Sequence, residues 1–156
     1  MASKVNPIPE GYHSVTPYLC ISGASDAIEF YKAAFDAEEL MRIPSPDGSI
    51  GHAEIKIGGS HIMLSAENVE MNFHSPKSIG GTPVHIYLYV EDVDRIFAQA
   101  VAAGAEALMP LEDQFWGDRT GTLVDPFGHR WYVSTHREDL TQEEIGARAA
   151  ELFGGS

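Results

Sequence analysis

Cysteine is nearly absent from this chain: one thiol, Cys20, stands among 156 residues. A single cysteine excludes an internal disulfide framework and the zinc sites built on cysteine pairs. Basic residues are scarce too, with 10 Lys and Arg against 23 Asp and Glu, for a formal charge of -13. Such a field repels phosphate backbones, so nucleic acid is not an expected partner. No run reaches the roughly 18 apolar residues of a membrane span. The Met1-Ala2-Ser3-Lys4 start also lacks the apolar stretch of a signal peptide. A cytoplasmic protein with no membrane partner is the expectation.

What is present is an ordinary globular composition, 44% hydrophobic and 21% charged. That suffices for one sizeable core and is too short for two conventional domains. Laid on itself, the chain repeats. Strand-like alternation in Val15–Ile21 returns in Val84–Val90, placing Thr16 and His85 at matching positions 69 residues apart. Each strand precedes a helical pattern, carried by Ala27, Ile28, Phe30, Tyr31, Ala34 and Phe35 in the first copy. Val93, Ile96, Phe97, Ala100 and Val101 carry it in the second. Ser25 and Asp92 are the expected N-caps. The helices exit through Asp36-Ala37-Glu38 and Gly104-Ala105-Glu106, now 68 apart. The last strands, Ile62-Met63-Leu64 and Trp131-Tyr132-Val133, restore the offset of 69.

Two units of strand, helix and three strands therefore cover about 13–66 and 84–135, joined by a linker over 67–83. Thr141-Gln142-Glu143-Glu144 has capping-box spacing ahead of Ile145, Ala149 and Leu152, so a helix is expected over about 141–153. The predicted fold class is α+β, two tandem βαβββ units forming curved mixed sheets around a cavity within a single domain, 1–156.

Alternation assigns faces. Pro17, Leu19, Ile21, Ile55, Ile57, Ile62, Leu64, Ile86, Leu88, Val90, Trp131 and Val133 should pack against the helices. The other face collects Thr16, Tyr18, Cys20, His52, Glu54, Lys56, His61, Met63, Ser65, His85, Tyr87, Tyr89, Arg130 and Tyr132. Clustered tyrosines and histidines suit a ligand cavity, although a solvated face of an antiparallel sheet also collects polar residues. Cys20 reads as a packing residue with a near-normal pKa. His85 is either a general base or a donor that orients a ligand. Trp116 and Arg119 could form a stacking lid and an anion clamp. Alternatively they staple a loop in which Asp118 or Asp125 pairs with Arg119. His13, His74, His129 and His136 read as surface residues, and Asp125-Pro126-Phe127-Gly128 as a turn.

The paired units, the Ala27-Ile28-Glu29-Phe30-Tyr31 helix and the Asp125-Pro126-Phe127-Gly128-His129 turn resemble the vicinal-oxygen-chelate superfamily. That superfamily comprises glyoxalase I, bleomycin-resistance proteins and extradiol dioxygenases. Thr16-Pro17-Tyr18-Leu19, Gly51-His52-Ala53-Glu54-Ile55 and Phe115-Trp116-Gly117-Asp118-Arg119 look like its PhnB-like branch. The resemblance implies metal ligands on the first and last strand of each unit, which project here onto Thr16, Met63, His85 and Tyr132. Only His85 is a good divalent-metal ligand. No cofactor is therefore expected; if a divalent metal binds, it would use His85 with His52, Glu54 or His61.

These readings lead to a metal-independent protein binding or sequestering an aromatic or cationic small molecule. Its expected ligand contacts are Thr16, Tyr18, His52, Glu54, His61, Met63, His85, Tyr87, Trp116, Arg119 and Tyr132. The alternatives are a metal-dependent lyase, isomerase, transferase or dioxygenase using His85, and an interaction protein without ligand. The resemblance also implies a homodimer.

Overall fold

The computed structural model describes residues 4–154. The chain divides into two compact units, one ending at Gly81 and the next beginning at Thr82.

In the first unit, strand β1 (Tyr18–Ile21) leads into helix α1 (Ala24–Phe35), then β2 (Glu38–Pro44), β3 (Ile50–Ile57) and β4 (Ser60–Ala66). The sheet order is β1-β4-β3-β2, with β1 parallel to β4 and the other neighbours antiparallel. The second unit repeats this with β5 (His85–Tyr89), α3 (Val93–Ala103), β6 (Glu106–Asp113), β7 (Asp118–Val124) and β8 (Arg130–His136), ordered β5-β8-β7-β6. The α+β fold expected from the repeat is the one observed. Its register is conserved: Tyr18 lies opposite Met63 and Tyr87 opposite Tyr132, both pairs related by the offset of 69. A 3₁₀ turn (Val69–Met71) and a short helix α2 (Pro76–Ile79) occupy the expected linker. Helix α4 (Gln142–Phe153) ends the described chain.

Helix α1 forms because its apolar residues fall on one broad stripe, and Ala27, Ile28, Tyr31, Ala34 and Phe35 are buried. They cover Leu19, Ile21, Ile55, Ile57, Ile62 and Leu64 from the sheet face that alternation selected. Each large side chain buried this way contributes about 1.5–3 kcal/mol. Pro17 is a correction: it lies exposed just before β1, where its carbonyl accepts from the Met63 amide at 3.0 Å. Ser25 is a second correction. The cap of α1 is Gly23, at φ 90, because the left-handed turn out of β1 favours glycine rather than a side-chain acceptor. Asp92 does cap α3, accepting from the Arg95 amide, and Thr141 caps α4 through the Glu144 amide.

The second core holds Val93, Ile96, Ala100, Leu123, Trp131 and Val133, while Ile86, Leu88 and Val90 are only half-buried. Asp125 is more than a turn residue. Its Oδ1 accepts from the Phe127 and His129 amides at 2.9 Å, and its Oδ2 accepts from Trp131 Nε1 at 3.0 Å. The turn is thereby stapled to the core, and His129, expected at the surface, is buried. No helix among the described residues is long and apolar enough to cross a membrane.

Candidate functional site

In the first unit, alternation along β3 brings His52 and Glu54 to the sheet face away from α1, beside His61 and Met63 of β4. Tyr18 projects onto the same face, and its hydroxyl lies 2.9 Å from His52 Nδ1. His52 Nε2 lies 3.8 Å from Glu54 Oε1, and the same oxygen accepts from the Tyr12 hydroxyl at 2.5 Å. Burial first, then the Glu54 bond and charge, push the Tyr12 phenol up to about 12. Gly11, at φ 84, makes the turn that delivers Tyr12. A Cβ there would sit 3.1 Å from the His61 ring. The Tyr12 and His61 rings meet edge-on at 4.2 Å, and His61 Nδ1 is buried without a hydrogen-bond partner.

Beside this cluster opens a cleft of about 1050 Å³. One wall is the β2–β3 turn with Asp47, Ile50 and Gly51; the other is the segment after β4 with Glu67, Val69, Glu70, Met71 and Phe73. Tyr18 lies between them. Tyr18 and Phe73 pack edge-on at 5.8 Å. The wall after β4 is held in shape by Glu67. Its carboxylate accepts from the Ser75 amide at 2.9 Å and from the Ser78 hydroxyl at 2.6 Å; the Ser75 side chain first, then Ser78 and the Ser75 amide, push its pKa down to about 2. The Asn68–Phe73 bridge closes the loop above it. Cys20, opposite Ser65, has its thiol pushed up to about 11 by burial and by the charge of Glu67, so the near-normal value expected for it is corrected.

In the second unit, the equivalent face is consumed by its own hydrogen bonds. Tyr87 bonds Thr120 at 3.3 Å and accepts from Ser134 at 2.9 Å. Buried Asp118 gathers donors: Oδ2 accepts from Tyr89 at 2.8 Å, Tyr87 at 3.1 Å and Trp116 Nε1 at 3.1 Å, while Oδ1 lies 2.7 Å from His136 Nδ1. Burial pushes the Asp118 carboxyl up, but these four donors outweigh it and hold it below the usual carboxylate range. Burial and the Asp118 bond raise the Tyr89 phenol. The bonds to Asp118 and Asp139 raise His136.

The expected contacts therefore meet different fates. Tyr18, His52, Glu54, His61 and Met63 share one face, with Thr16 half-buried just before β1. Tyr87 and Trp116 are tied to Asp118. Arg119 pairs with Asp94 at 3.0 Å and Asp113 at 3.4 Å, which corrects the expected Asp118 or Asp125 partner. His85 and Tyr132 remain adjacent, ring centroids 5.5 Å apart. Tyr12, Glu67, Phe73, Asp118 and His136 were not identified from the sequence as site residues. Tyr12 and Phe73 sit in segments without periodicity, and Asp118 begins a strand whose partners lie far along the chain.

A metal centre needs several donor side chains converging on one point. Glu54 Oε1 is engaged by Tyr12, and among the described residues no group of three or more His, Cys, Asp or Glu side chains is placed to hold an ion. The described residues do not fit a metal centre.

A model of the Glyoxalase/Bleomycin resistance protein/Dioxygenase superfamily matches residues 13–133. An uncharacterized protein of Mycobacterium tuberculosis is 43% identical over 158 residues, covering 99% of this chain and 89% of that one. A PhnB protein from Bacillus cereus has the same fold, with TM-score 0.62, 24% identity, and coverage of 79% of this chain and 99% of that one. FosX from Listeria monocytogenes, whose crystal structure holds Mn(II) and sulfate, matches with TM-score 0.60 and 20% identity over 95% of this chain and 98% of its own.

Proposed function

The chain belongs to the Glyoxalase/Bleomycin resistance protein/Dioxygenase superfamily, and from that premise we propose that it binds a small, flat, cationic molecule in the cleft of its first unit, without a metal ion. The observation that carries this reading is the composition of the cleft. Tyr18 and Phe73 supply aromatic faces, Ile50, Val69 and Met71 supply apolar wall, and Asp47, Glu67 and Glu70 supply negative charge. No Lys or Arg is among the lining residues. Aromatic faces attract cations through the ring quadrupole, and the carboxylates add to a protein-wide field of -13. Thr16, His52, Glu54, His61 and Met63 extend this surface along the sheet. His85 and Tyr132 offer a second aromatic pair.

Fluorescence titration of the full chain tests the reading with two probes of similar size, proflavine as a flat cation and 1-anilinonaphthalene-8-sulfonate as an anion. Saturable proflavine binding with little response from the anion is expected. Equal binding of both, or neither, overturns it. Mn(II) bound to FosX makes a metal-dependent enzyme the competing reading for this fold. Stoichiometric metal in the purified protein would favour that enzyme instead. The same proposal makes the protein a cytoplasmic homodimer, for which the exposed Leu152 and Phe153 of α4 are available apolar surface. Sedimentation showing a monomer at micromolar concentration would remove the dimer.

A further inference from the structure

We infer that Tyr18, His52 and Glu54 form a proton relay at the wall of the cleft, with Tyr18 the catalytic group that exchanges a proton with a bound small molecule carrying an acidic O–H or N–H. This rests on the reading of the cleft as a ligand site and goes beyond binding.

The geometry sets the direction of the relay. His52 presents Nε2 to the Glu54 carboxylate at 3.8 Å and Nδ1 to the Tyr18 hydroxyl at 2.9 Å. The relay takes the tautomer with the proton on Nε2, the nitrogen on the carboxylate side, in which Nδ1 accepts from the Tyr18 hydroxyl. A hydroxyl hydrogen-bonded to a base is the general arrangement of an activated oxygen, and the Glu54 carboxylate, at 3.8 Å, supplies negative charge beside that base rather than a hydrogen bond. Tyr18 is exposed to 45% and lines the cleft, so its oxygen is reachable by a ligand.

Other tyrosines of this chain are placed differently. Tyr12 donates to Glu54, and Tyr87 and Tyr89 donate to Asp118. A carboxylate is too weak a base to take a phenol proton, whereas an imidazole is a stronger one. At the position matching His52 in the second unit, Tyr87 meets Thr120, a hydroxyl with no basic nitrogen. The repeat has thus kept the tyrosine twice and the base once.

The step balances without an external reagent. The ligand O–H or N–H proton moves to Tyr18 Oη as the phenolic proton moves to His52 Nδ1. The ligand keeps its electron pair as an anion or neutral amine, and the imidazolium formed faces the Glu54 carboxylate. Reversal returns the proton. His52 and Glu54 are positioning and proton-holding residues, since neither needs to touch the ligand.

Benzenesulfonyl fluoride tests the relay without a natural ligand. The Tyr18 oxygen forms the O–S bond, fluoride leaves with the S–F electron pair, and the phenolic proton goes to His52. Mass spectrometry of the intact chain after partial reaction should find Tyr18 modified at least about 10-fold faster than Tyr87 or Tyr89, in line with general-base assistance of about 100-fold. Tyr87 and Tyr89 are 41% and 58% exposed, so exposure alone does not favour Tyr18. His52→Gln should abolish the preference with far-UV circular dichroism unchanged, and Glu54→Gln should reduce it. Should His52→Gln fail to fold, Glu54→Gln alone decides. Tyr18 reacting no faster than Tyr87 and Tyr89, or a preference untouched by Glu54→Gln, overturns the relay. Because the probe is neutral and needs no cleft affinity, that failure would leave the proflavine result standing.

Discussion

Tyr18 and His52 lie 34 residues apart in sequence, and their Oη and Nδ1 atoms are 2.9 Å apart. That contact joins the strand that opens the first unit to the strand that floors its sheet, and it places an aromatic ring at the edge of the cleft. Removing the ring should therefore weaken binding. Tyr18→Ala and Phe73→Ala are each expected to reduce proflavine affinity about 10-fold, since a well-placed aromatic contact is worth about 0.5–1.5 kcal/mol beyond its buried area. Titration of the two variants beside Tyr87→Ala checks this, because the account requires Tyr87→Ala to bind normally.

Gly121 of β7 faces α3. A Cβ there would lie 2.4 Å from Phe97 Cε2 and 3.1 Å from Leu111 Cδ2. Gly121→Ala should cost about 1–3 kcal/mol through overpacking. Gly117, at φ 100, would bring a Cβ to 2.6 Å from the Glu138 carbonyl oxygen, which is backbone and cannot rotate away. Gly117→Ala should therefore destabilise at least as much. Urea denaturation midpoints of the two variants measure both effects.

Asp118 organises four donors from four places in the second unit. Asn at this position keeps the shape but loses one acceptor group, leaving at least one part-buried donor without its partner, at about 1 kcal/mol. Asp118→Asn is expected to lower the urea midpoint. An unchanged midpoint would show that the hub contributes little.

The pH dependence follows from the same residues. His136 gains its carboxylate partners on folding, so its folded pKa lies above the unfolded value of about 6.5. Its contribution is full below that unfolded value and is lost as pH rises through the folded one. Asp118 is depressed by its donors, so its contribution is full above an unfolded value of about 3.9 and is lost as pH falls through the folded one. Stability should therefore be highest between about pH 4 and 6.5. His136→Ala should flatten the alkaline decline, as urea midpoints at two pH values on either side of neutrality would measure.

Cys20 is 8% exposed and its thiol is raised to about 11, so little thiolate forms near neutral pH. Iodoacetamide should leave the native chain unmodified for hours and label it rapidly in urea. Rapid native labelling would mean the first sheet opens readily.

The sheets were legible because a strand writes its two faces into alternate residues, and the offset of 69 carried that reading from one unit to the other. Tyr18, His52, Glu54, His61 and Met63 were placed on one face by this rule alone. The cleft itself was not legible. Its far wall, Glu67 to Phe73, is irregular chain shaped by a carboxylate accepting from Ser75 and Ser78, and such side-chain clamps leave no period in sequence. Asp118 was hidden for a related reason: it lies at the buried start of β7, and its partners come from residues 87, 89, 116 and 136. The expected cap at Ser25 failed because backbone conformation at Gly23, not a side chain, begins α1.

The most direct test of the cleft as the ligand site is a backbone amide NMR map of the full chain titrated with proflavine. The account predicts perturbations concentrated at Tyr18, Asp47, Ile50, Gly51, Glu67 and Phe73, saturating together. Perturbations centred instead on Tyr89, Trp116 and His136, or scattered without saturation, would contradict it.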